Sequence, residues 1–509
     1  MKKINIAILL TVLLAVKLSS CTGFLDVKPS NAIQEEELEI RTRVEAKVMM
    51  DGIMRNLVHA NYYGRGMMLY GDAKGSDLTI VSQARGYDYL YSFNHSPSSG
   101  NGSGYWSQIY FCILQVNTLL QGMEKTEAAG GIYEDFSLYK GQALTLRALM
   151  YFDLVRIYGK PYTYSDAPSS LGVPVVTKPI DRYQQPTRAT VAEVYSQIQN
   201  DLDTAKGLLN SVNGKTKSNG YMNYYGNRAL QARVYLYMGR YADALTVAEE
   251  IIDSGVYSLY TNENWISSWG TQFATESIVE LGIFPNEADL ETSSWGALLL
   301  RKGNVSSQIM GWFVASDYYL ARLNEGYDGV NESTRDIRWA TMYYDETSTT
   351  RLGSCRKYTG GNHTSGDKGT YSAVNIKVFR LSEIYLIAAE AALLQSSSNK
   401  EKAAIYLQAI RKRAPGLAPA TAETVTIEMI LDERSRELFM EGHRFFDLTR
   451  NKMRIEFNDD FIDVGSVTAS HRSKVINENG AFFYKCILPI PKGEIDANPA
   501  IGSQQNPGY

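Results

Sequence analysis

The strongest restriction on the fold is a recurring pattern of small and aromatic residues at helical spacing. It is clearest in the stretch ALQARVYLYMGRYADALTVAEEI. The residues that set the pattern are Ala232, Tyr235, Gly239, Tyr241 and Ala244, which are separated by 3, 4, 2 and 3 positions. Spacings of three and four place side chains on one face of a helix. Alanines allow two helices to approach closely, and the glycine permits a turn between them. The stretch therefore predicts two antiparallel helices with tyrosines in the seam.

Other parts of the chain predict helix pairs of the same kind. They are residues 139–158 with 188–209, residues 379–394 with 400–413, and residues 426–450. The pattern resembles the tetratricopeptide helix pair. The inserts between the pairs are too long for a regular solenoid. We therefore predict a mostly α fold, a tetratricopeptide-like helical-repeat scaffold with long irregular loop-rich inserts.

Several helix boundaries are also indicated. The stretch FSLYKGQALTLRALMYFDLVRIYG is typical of a long amphipathic helix that stops at Gly159. Thr190 with Glu193 predicts a capping box at the start of the next helix. Apolar spacing predicts a further helix from Trp106 onward.

The N-terminus has the features of a lipoprotein signal. Lys2 and Lys3 precede the apolar run INIAILLTVLLAV, and LSSC then ends at Cys21. The run is too short to span a bilayer, and a small-residue stretch ending in Cys resembles a bacterial lipobox. We expect residues 1–20 to be a signal peptide and Cys21 to be lipidated. The alternative is an ordinary secretory signal with an incidental cysteine.

We expect residues 21–509 to form one domain, in which no later stretch is long and apolar enough to span a membrane. Residues 61–105 and 255–375 are rich in Gly, Ser, Asn and Tyr and show little sustained periodicity, so we expect loops there. Binding residues usually lie on such loops when a rigid frame carries them. The chain has 35 Tyr against 16 Phe and 6 Trp. Tyrosine suits recognition surfaces, although it also fills helix seams.

Charge and cysteine content exclude some function classes. The formal net charge is −4, so nothing favours nucleic acid as a partner. Cys112, Cys355 and Cys486 are an odd number in an exported chain and cannot all pair. Cys112 and Cys486 lie in apolar settings that favour buried free thiols. The sequence contains no CxxC or HExxH motif, so we expect no metal and no cofactor.

The segment EGHRFFDLTR has the composition of an active site. Glu441, His443, Arg444, Asp447 and Arg450 fall within ten positions. One interpretation is a glycosidase-like carboxylate pair with a helper histidine. On a continuous helix, however, Glu441 and His443 point in different directions, whereas catalysis needs convergence. We therefore favour a buried ion-pair network that joins the last helices to the core.

Five segments together resemble one known family. They are CTGFLDVKPS, GQALTLRALMYFDLVRIYGKP, FRLSEIYLIAAEA, LDERSRELFMEGHRFFDLTR and ILPIPKGEIDANPAIGSQQNPGY. The chain resembles the SusD/RagB family of Bacteroidetes outer-membrane lipoproteins over nearly its whole mature length. The last segment is the most specific, because the helix pairs alone occur in many proteins.

This resemblance implies a non-catalytic protein that captures an oligosaccharide or peptide nutrient at the cell surface. It also implies delivery to a partner TonB-dependent transporter of the SusC/RagA type, and a lipid anchor in the outer membrane facing the exterior. Two alternatives remain open, a surface hydrolase and a helical-repeat scaffold for envelope assembly. A hydrolase needs convergent carboxylates or an activated nucleophile, and no GxSxG motif is present.

The resemblance places ligand binding on the loop before YWSQIY, with aromatic residues from the middle of the chain. The residues that we expect to bind the ligand are Arg85, Tyr89, Tyr91, Phe93, Asn94 and Trp312. In an extended segment the three alternating aromatics point to one side and form a flat platform, with Trp312 as the opposite wall. The same alternation is also typical of a half-buried strand whose aromatics face inward.

Overall fold

The computed structural model describes residues 39–80, 87–130, 134–181, 183–211, 215–218, 220–283, 295–299, 312–344, 352–355, 357–358, 375–457 and 483–509. These residues are mostly helical, as the sequence predicts. The helices, in chain order, are α1 (Arg43–Leu57), α2 (Gly66–Ala73), α3 (Asp88–Tyr91), α4 (Gly100–Ala129), α5 (Ser137–Tyr158), α6 (Val191–Ser211), α7 (Tyr224–Tyr237), α8 (Tyr241–Asp253), α9 (Trp265–Ser268), α10 (Trp295–Leu299), α11 (Asp317–Asn324), α12 (Leu381–Leu394), α13 (Lys400–Arg411), α14 (Ile427–Glu437), α15 (Arg444–Arg450) and α16 (Lys492–Ala497).

The described strands are short and pair in twos. They are β1 (Leu78–Ile80), β2 (Ser277–Leu281), β3 (Phe313–Ala315), β4 (Met342–Tyr344), β5 (Leu352–Cys355) and β6 (Ile376–Arg380). The antiparallel pairs are β1 with β3, β2 with β6, and β4 with β5. Each pair joins segments of the loop-rich inserts to one another or to the helical frame. Short 3₁₀ helices complete the described structure at Glu332–Thr334, Ile337–Thr341, Phe483–Cys486 and Pro499–Gln504.

The predicted helix pairs are confirmed. Helix α5 packs against α6, α7 against α8, and α12 against α13, while α12 also packs against α8 and joins two pairs into one array. Gly239, with φ of 71°, provides the left-handed turn between α7 and α8. The predicted capping box is present, because the Thr190 N–H donates to Glu193 Oε2 at 2.7 Å and the Glu193 N–H donates to Thr190 Oγ1 at 3.2 Å.

Two helix predictions need correction. Helix α4 begins at Gly100 rather than at Trp106, although glycine is a poor helix former. Its first turns pack closely, since a Cβ on Gly104 would lie 2.9 Å from the Asn61 side chain. Helix α5 ends before Gly159 as predicted, but it is buried on all sides rather than amphipathic. The polar side chains of such a buried helix need hydrogen-bond partners inside the protein. Asp153 of α5 accepts hydrogen bonds from two tyrosine hydroxyls at 2.8 and 2.9 Å.

The segment EGHRFFDLTR consists of the end of a sharp turn followed by helix α15, and not of one continuous helix with α14. Helix α14 ends at Glu437, and Met440 and Gly442 then adopt φ of 63° and 79° before α15 begins. The turn rests directly on α2. A Cβ on Gly71 would meet the Gly442 carbonyl well inside contact distance, so only glycine fits there. Packing against α2 therefore fixes the path of the chain into α15.

The charged residues of this segment form the predicted buried ion-pair network. Glu437 accepts from Arg413 at 2.9 Å and from Arg380 at 3.0 Å. Asp447 is bound by Arg434 at 2.7 Å and by Arg450 at 2.8 Å. All of these side chains are almost completely buried. Arg450 also pairs with Glu390 of α12, so the network connects α14 and α15 to α12, to β6 and to the residues that follow α13, which confirms the structural interpretation of the motif.

The cysteines also follow the sequence analysis. Cys112, Cys355 and Cys486 are buried and unpaired. Burial raises the pKa of each of these thiols, so they are protonated at neutral pH. Within the described ranges, no helix combines the length and the apolarity that crossing a bilayer requires.

Candidate functional site

Tyr89, Tyr91 and Phe93 do not form the extended row that the alternation predicts. Residues Asp88–Tyr91 form the short helix α3, and Phe93 follows it with φ of 58°. Successive helical residues are rotated by about 100°, so Tyr89 and Tyr91 leave α3 on opposite sides. The flat platform of three rings is therefore a wrong prediction.

Tyr91 and Phe93 belong to the core. Their side chains are 0% and 1% exposed. The Tyr91 ring lies 5.6 Å from the ring of Phe457, and its hydroxyl lies 3.2 Å from Thr79 Oγ1. The Phe93 ring lies 6.1 Å from that of Phe445. Both rings support the loop from within and do not face solvent, so the inward direction of the alternative interpretation is correct, although the segment is a short helix and a turn and not a strand.

The other predicted site residues lie at or near the surface where the structure describes them. Tyr89 and Trp312 are half-buried, and Asn94 is exposed. Arg85 lies outside the described residues. Tyr89 and Asn94 are held together by the backbone, because the Asn94 N–H donates to the Tyr89 carbonyl at 2.7 Å.

Tyr87 and Arg65 join Trp312 in one patch, and the sequence analysis missed both. The rings of Tyr87 and Trp312 are 5.5 Å apart with an interplanar angle of 45°. The guanidinium of Arg65 lies 5.5 Å from the centre of the Tyr87 ring. Tyr87 precedes Tyr89 at the same two-residue spacing, and that signal was available in the sequence. Arg65 carries no such signal, because only folding brings it to this patch.

Helix α10 links the two sides of the patch. The Trp312 N–H donates to the Leu298 carbonyl at 2.8 Å, and the Trp295 N–H donates to the Gly64 carbonyl at 2.8 Å. Arg65 follows Gly64, so one helix fixes both the arginine and the tryptophan. Trp312 also directly precedes β3, which pairs with β1. Backbone hydrogen bonds between three separate segments therefore hold the residues of the patch in place.

The chemistry of the patch suits an uncharged ring with polar substituents. Burial raises the pKa of Tyr87, although Arg65 acts in the opposite direction, so the hydroxyl stays protonated at neutral pH. The half-buried indole offers an apolar face, and the half-buried guanidinium of Arg65 offers hydrogen bonds, while the buried Tyr87 ring packs between them. Among the described residues, no three His, Cys, Asp or Glu side chains are grouped so as to hold a metal ion.

A shallow pocket lies beside Tyr89, on the side of the α3–α4 connection. Its volume is about 250 Å³, including the space open to solvent. The residues that line it are Tyr89, Leu90, His95, Ser96, Pro97, Ser99, Leu488, Pro489 and Pro491. One wall therefore comes from the region of α3, and the other comes from the segment that follows Cys486.

The ion-pair network does not have the electrostatics of a glycosidase site. Burial raises the pKa of Glu441, but the charges of Arg380 and Lys357 outweigh it and lower the pKa below its usual value. Burial lowers the pKa of His443 well below its usual value, and neighbouring arginines lower it further. A general acid at neutral pH needs a raised carboxyl pKa, which Glu441 does not have. These observations favour a structural role over the hydrolase alternative.

The chain matches two family descriptions that together span almost its whole length. Residues 210–509 match the SusD family, and residues 23–236 match a family described as starch-binding associating with outer membrane.

Individual relatives agree with this match. The SusD-like protein P38 of Formosa agariphila is 25% identical over 499 residues, which cover 89% of this chain and 92% of the relative. A crystal structure of a SusD superfamily protein from Bacteroides thetaiotaomicron has a TM-score of 0.79 and 31% identity, covering 92% of this chain and 100% of the other. A laminarin-binding SusD-like protein has a TM-score of 0.64 at 24% identity, with coverage of 92% and 100%, a likeness of fold.

Proposed function

Because the chain belongs to the SusD family, we propose that it is a non-catalytic surface lipoprotein that captures an oligosaccharide and delivers it to an outer-membrane transporter. The observation that carries the binding role is the patch of Tyr87, Trp312 and Arg65. It combines the half-buried indole of Trp312, supported from beneath by the buried ring of Tyr87, with the cationic hydrogen-bond donor Arg65.

An oligosaccharide fits this patch better than a peptide does. A pyranose ring has an apolar C–H face and a rim of hydroxyls. The indole of Trp312 offers a flat surface to that face, while Arg65 and Asn94 offer hydrogen bonds to the rim. The starch-binding description of the matched family and the laminarin-binding relative both concern glucose polymers, which supports a glycan ligand.

The transporter and the anchor rest on the family resemblance and on the N-terminal sequence. The resemblance implies a TonB-dependent partner of the SusC/RagA type. Cys21 is the proposed lipidation site, with residues 1–20 as its signal peptide, and both lie outside the described residues. Two lipid signals or more are needed for stable anchoring, which lipoprotein acylation provides. We propose that the protein faces the exterior, where polysaccharide fragments are available.

The binding role is tested by calorimetry with the full-length protein in detergent and a panel of starch and laminarin oligosaccharides. Trp312→Ala should weaken the best ligand by about 2 kcal/mol, the usual cost of losing an aromatic anchor, and Tyr87→Ala should also weaken it, because the buried Tyr87 ring supports Trp312. Tyr183→Ala is the matched control, because Tyr183 is a 75% exposed tyrosine outside the patch.

Unchanged affinity in both patch variants would place the ligand elsewhere on the protein. Incubation with the same oligosaccharides tests the non-catalytic part of the proposal. Shortened products in the wild type, absent from a Glu441→Gln preparation that is still folded, would favour the hydrolase alternative.

A further inference from the structure

The loop that joins α3 to α4 is fastened by residues far away in the sequence. The hydroxyl of Tyr509 lies 2.8 Å from Nδ1 of His95. The ammonium of Lys485 donates to the His95 carbonyl at 3.1 Å. The rings of His95 and Tyr509 stack with 5.8 Å between their centres. His95 is only 2% exposed, while Tyr509 and Lys485 are half-buried, so these contacts cover the histidine from the solvent side.

The hydrogen bonds around His95 form a consistent chain of donors and acceptors. Tyr509 donates its hydroxyl proton to the Ile487 carbonyl at 2.9 Å, so its oxygen is left to accept from Nδ1–H of His95. The other ring nitrogen, Nε2, lies 3.2 Å from the buried ammonium of Lys74 and 3.1 Å from the Lys485 carbonyl, which itself accepts from Lys74 at 3.0 Å. Each member of the chain holds the next in one orientation.

The fastened loop contains a backbone turn that needs external support. Phe93 has a φ of 58°, a backbone conformation that residues other than glycine rarely adopt. Such backbone conformations occur where many surrounding contacts hold the residue in place, and they are frequent where a loop clamps a ligand. The turn at Phe93 brings Asn94 back, so that its N–H reaches the Tyr89 carbonyl. The direction of Tyr89 and Asn94 thus depends on this turn.

We propose that Tyr509 is a positioning residue for the ligand surface. By holding His95, it keeps the α3–α4 loop in the turn that presents Tyr89 and Asn94. It also fixes the width of the pocket that the loop and residues 488–491 line together. Tyr509 itself makes no ligand contact in this proposal. The proposal rests on the proposed function, because it concerns the same glycan surface.

The test removes one oxygen atom. Tyr509→Phe loses the hydrogen bonds to His95 and Ile487 but keeps the stacked ring. Tyr484→Phe is the matched control, because its ring lies 5.7 Å from that of Tyr509. Its hydroxyl forms no hydrogen bond to the loop among the described residues. Both variants are made in the full-length protein and compared with the wild type and with Trp312→Ala.

Two readouts separate positioning from general stability. Hydrogen–deuterium exchange of residues 89–97 should become about ten-fold faster in Tyr509→Phe, with exchange in α5 to α8 and the thermal midpoint near wild type. Affinity for the best starch or laminarin oligosaccharide should fall about five-fold, the effect of losing one hydrogen bond. Tyr484→Phe should match the wild type in both.

Each contrary result has its own meaning. Unchanged exchange at residues 89–97 overturns the proposal, because the loop then does not depend on Tyr509. Faster exchange with full affinity, while Trp312→Ala still weakens binding, also overturns it but leaves the proposed function intact. A wild-type protein that binds none of the oligosaccharides overturns the proposed function, and the positioning role with it.

Discussion

Arg380 and Glu441 form a bidentate ion pair inside the protein. Nε of Arg380 donates to Oε2 of Glu441 at 2.8 Å, and Nη2 donates to Oε1 at 2.7 Å. Their side chains are 1% and 3% exposed. The pair ties the end of β6 to the turn between α14 and α15. A motif with the composition of an active site thus acts as a fastening between two parts of the fold.

Glu441→Gln should destabilise the protein without selectively removing glycan binding. The substitution removes the carboxylate that pairs with the buried Lys357 and one of the three carboxylates around Arg380, and breaking a buried pair typically costs about 3–5 kcal/mol. Urea unfolding measures the loss. Lys492→Met is the control, because its ion pair with Asp496 is exposed and should matter little. A Glu441→Gln protein with wild-type unfolding free energy and no binding would move the ligand site to this motif.

Phe93→Ala should reduce stability by about 3–5 kcal/mol, because it removes a fully buried ring and leaves a cavity. Trp312→Ala should cost less stability, since Trp312 is only half-buried. Chemical unfolding of the two variants side by side tests the corrected assignment. Equal stabilities would mean that the Phe93 ring is not the core anchor that its burial indicates.

Asp72→Asn should change how stability depends on pH. Burial raises the pKa of Asp72 to about 8 from an ordinary value of 3.8, although the Gly442 N–H that it accepts acts in the opposite direction. Between these values the native state holds a proton that the unfolded chain has lost. The contribution of Asp72 to the free energy of unfolding therefore falls as pH rises, by up to about 1.4 kcal/mol per pH unit. Asparagine has no such proton to lose.

The measurement is the free energy of unfolding of both proteins at several pH values between about 5 and 8. The difference between the two isolates Asp72, because all other groups titrate in both. As pH rises, the free energy of unfolding of Asp72→Asn should increase relative to that of the wild type. A constant difference would show that Asp72 is ionised in the native protein.

Gly71→Ala should prevent α2 from resting on the turn before α15. The new methyl group would lie well inside contact distance of the Gly442 carbonyl oxygen, which belongs to backbone and not to a flexible side chain. Overpacking typically costs about 1–3 kcal/mol, and a clash with backbone belongs at the upper end. Gly207→Ala is the control, because it lies within α6 with no atom near its Cβ position. That change should stabilise the helix by about 0.5–1 kcal/mol, so opposite shifts in thermal midpoint are expected.

Cys21→Ala should abolish lipid attachment. The lipobox-like LSSC after the apolar run is the basis for this expectation. Cells grown with a labelled fatty acid should incorporate label into the wild-type protein and not into the variant. Equal labelling of the two would contradict the lipoprotein assignment. Protease treatment of whole cells then reports whether the wild-type protein faces the exterior.

Local sequence patterns were enough to predict the helical frame. Spacings of three and four, Gly239 at a turn and the Thr190–Glu193 capping box are local features, and each acts within a few residues of chain. A local pattern forms the same helix wherever its apolar face is buried, so the helix can be predicted before the fold is known. The alternating charges of EGHRFFDLTR likewise indicated a buried network, because unpaired charges are costly to bury.

The tertiary structure alone decided which aromatic side chains reach the surface. Tyr89 and Tyr91 belong to the same alternating run, yet the docking of α3 sends one ring toward solvent and the other into the core. Arg65 reaches Tyr87, and Tyr509 reaches His95, only after helices from distant parts of the chain have packed. Contacts between residues that are 22 or 414 positions apart depend on how the whole core packs, and no local spacing records that packing.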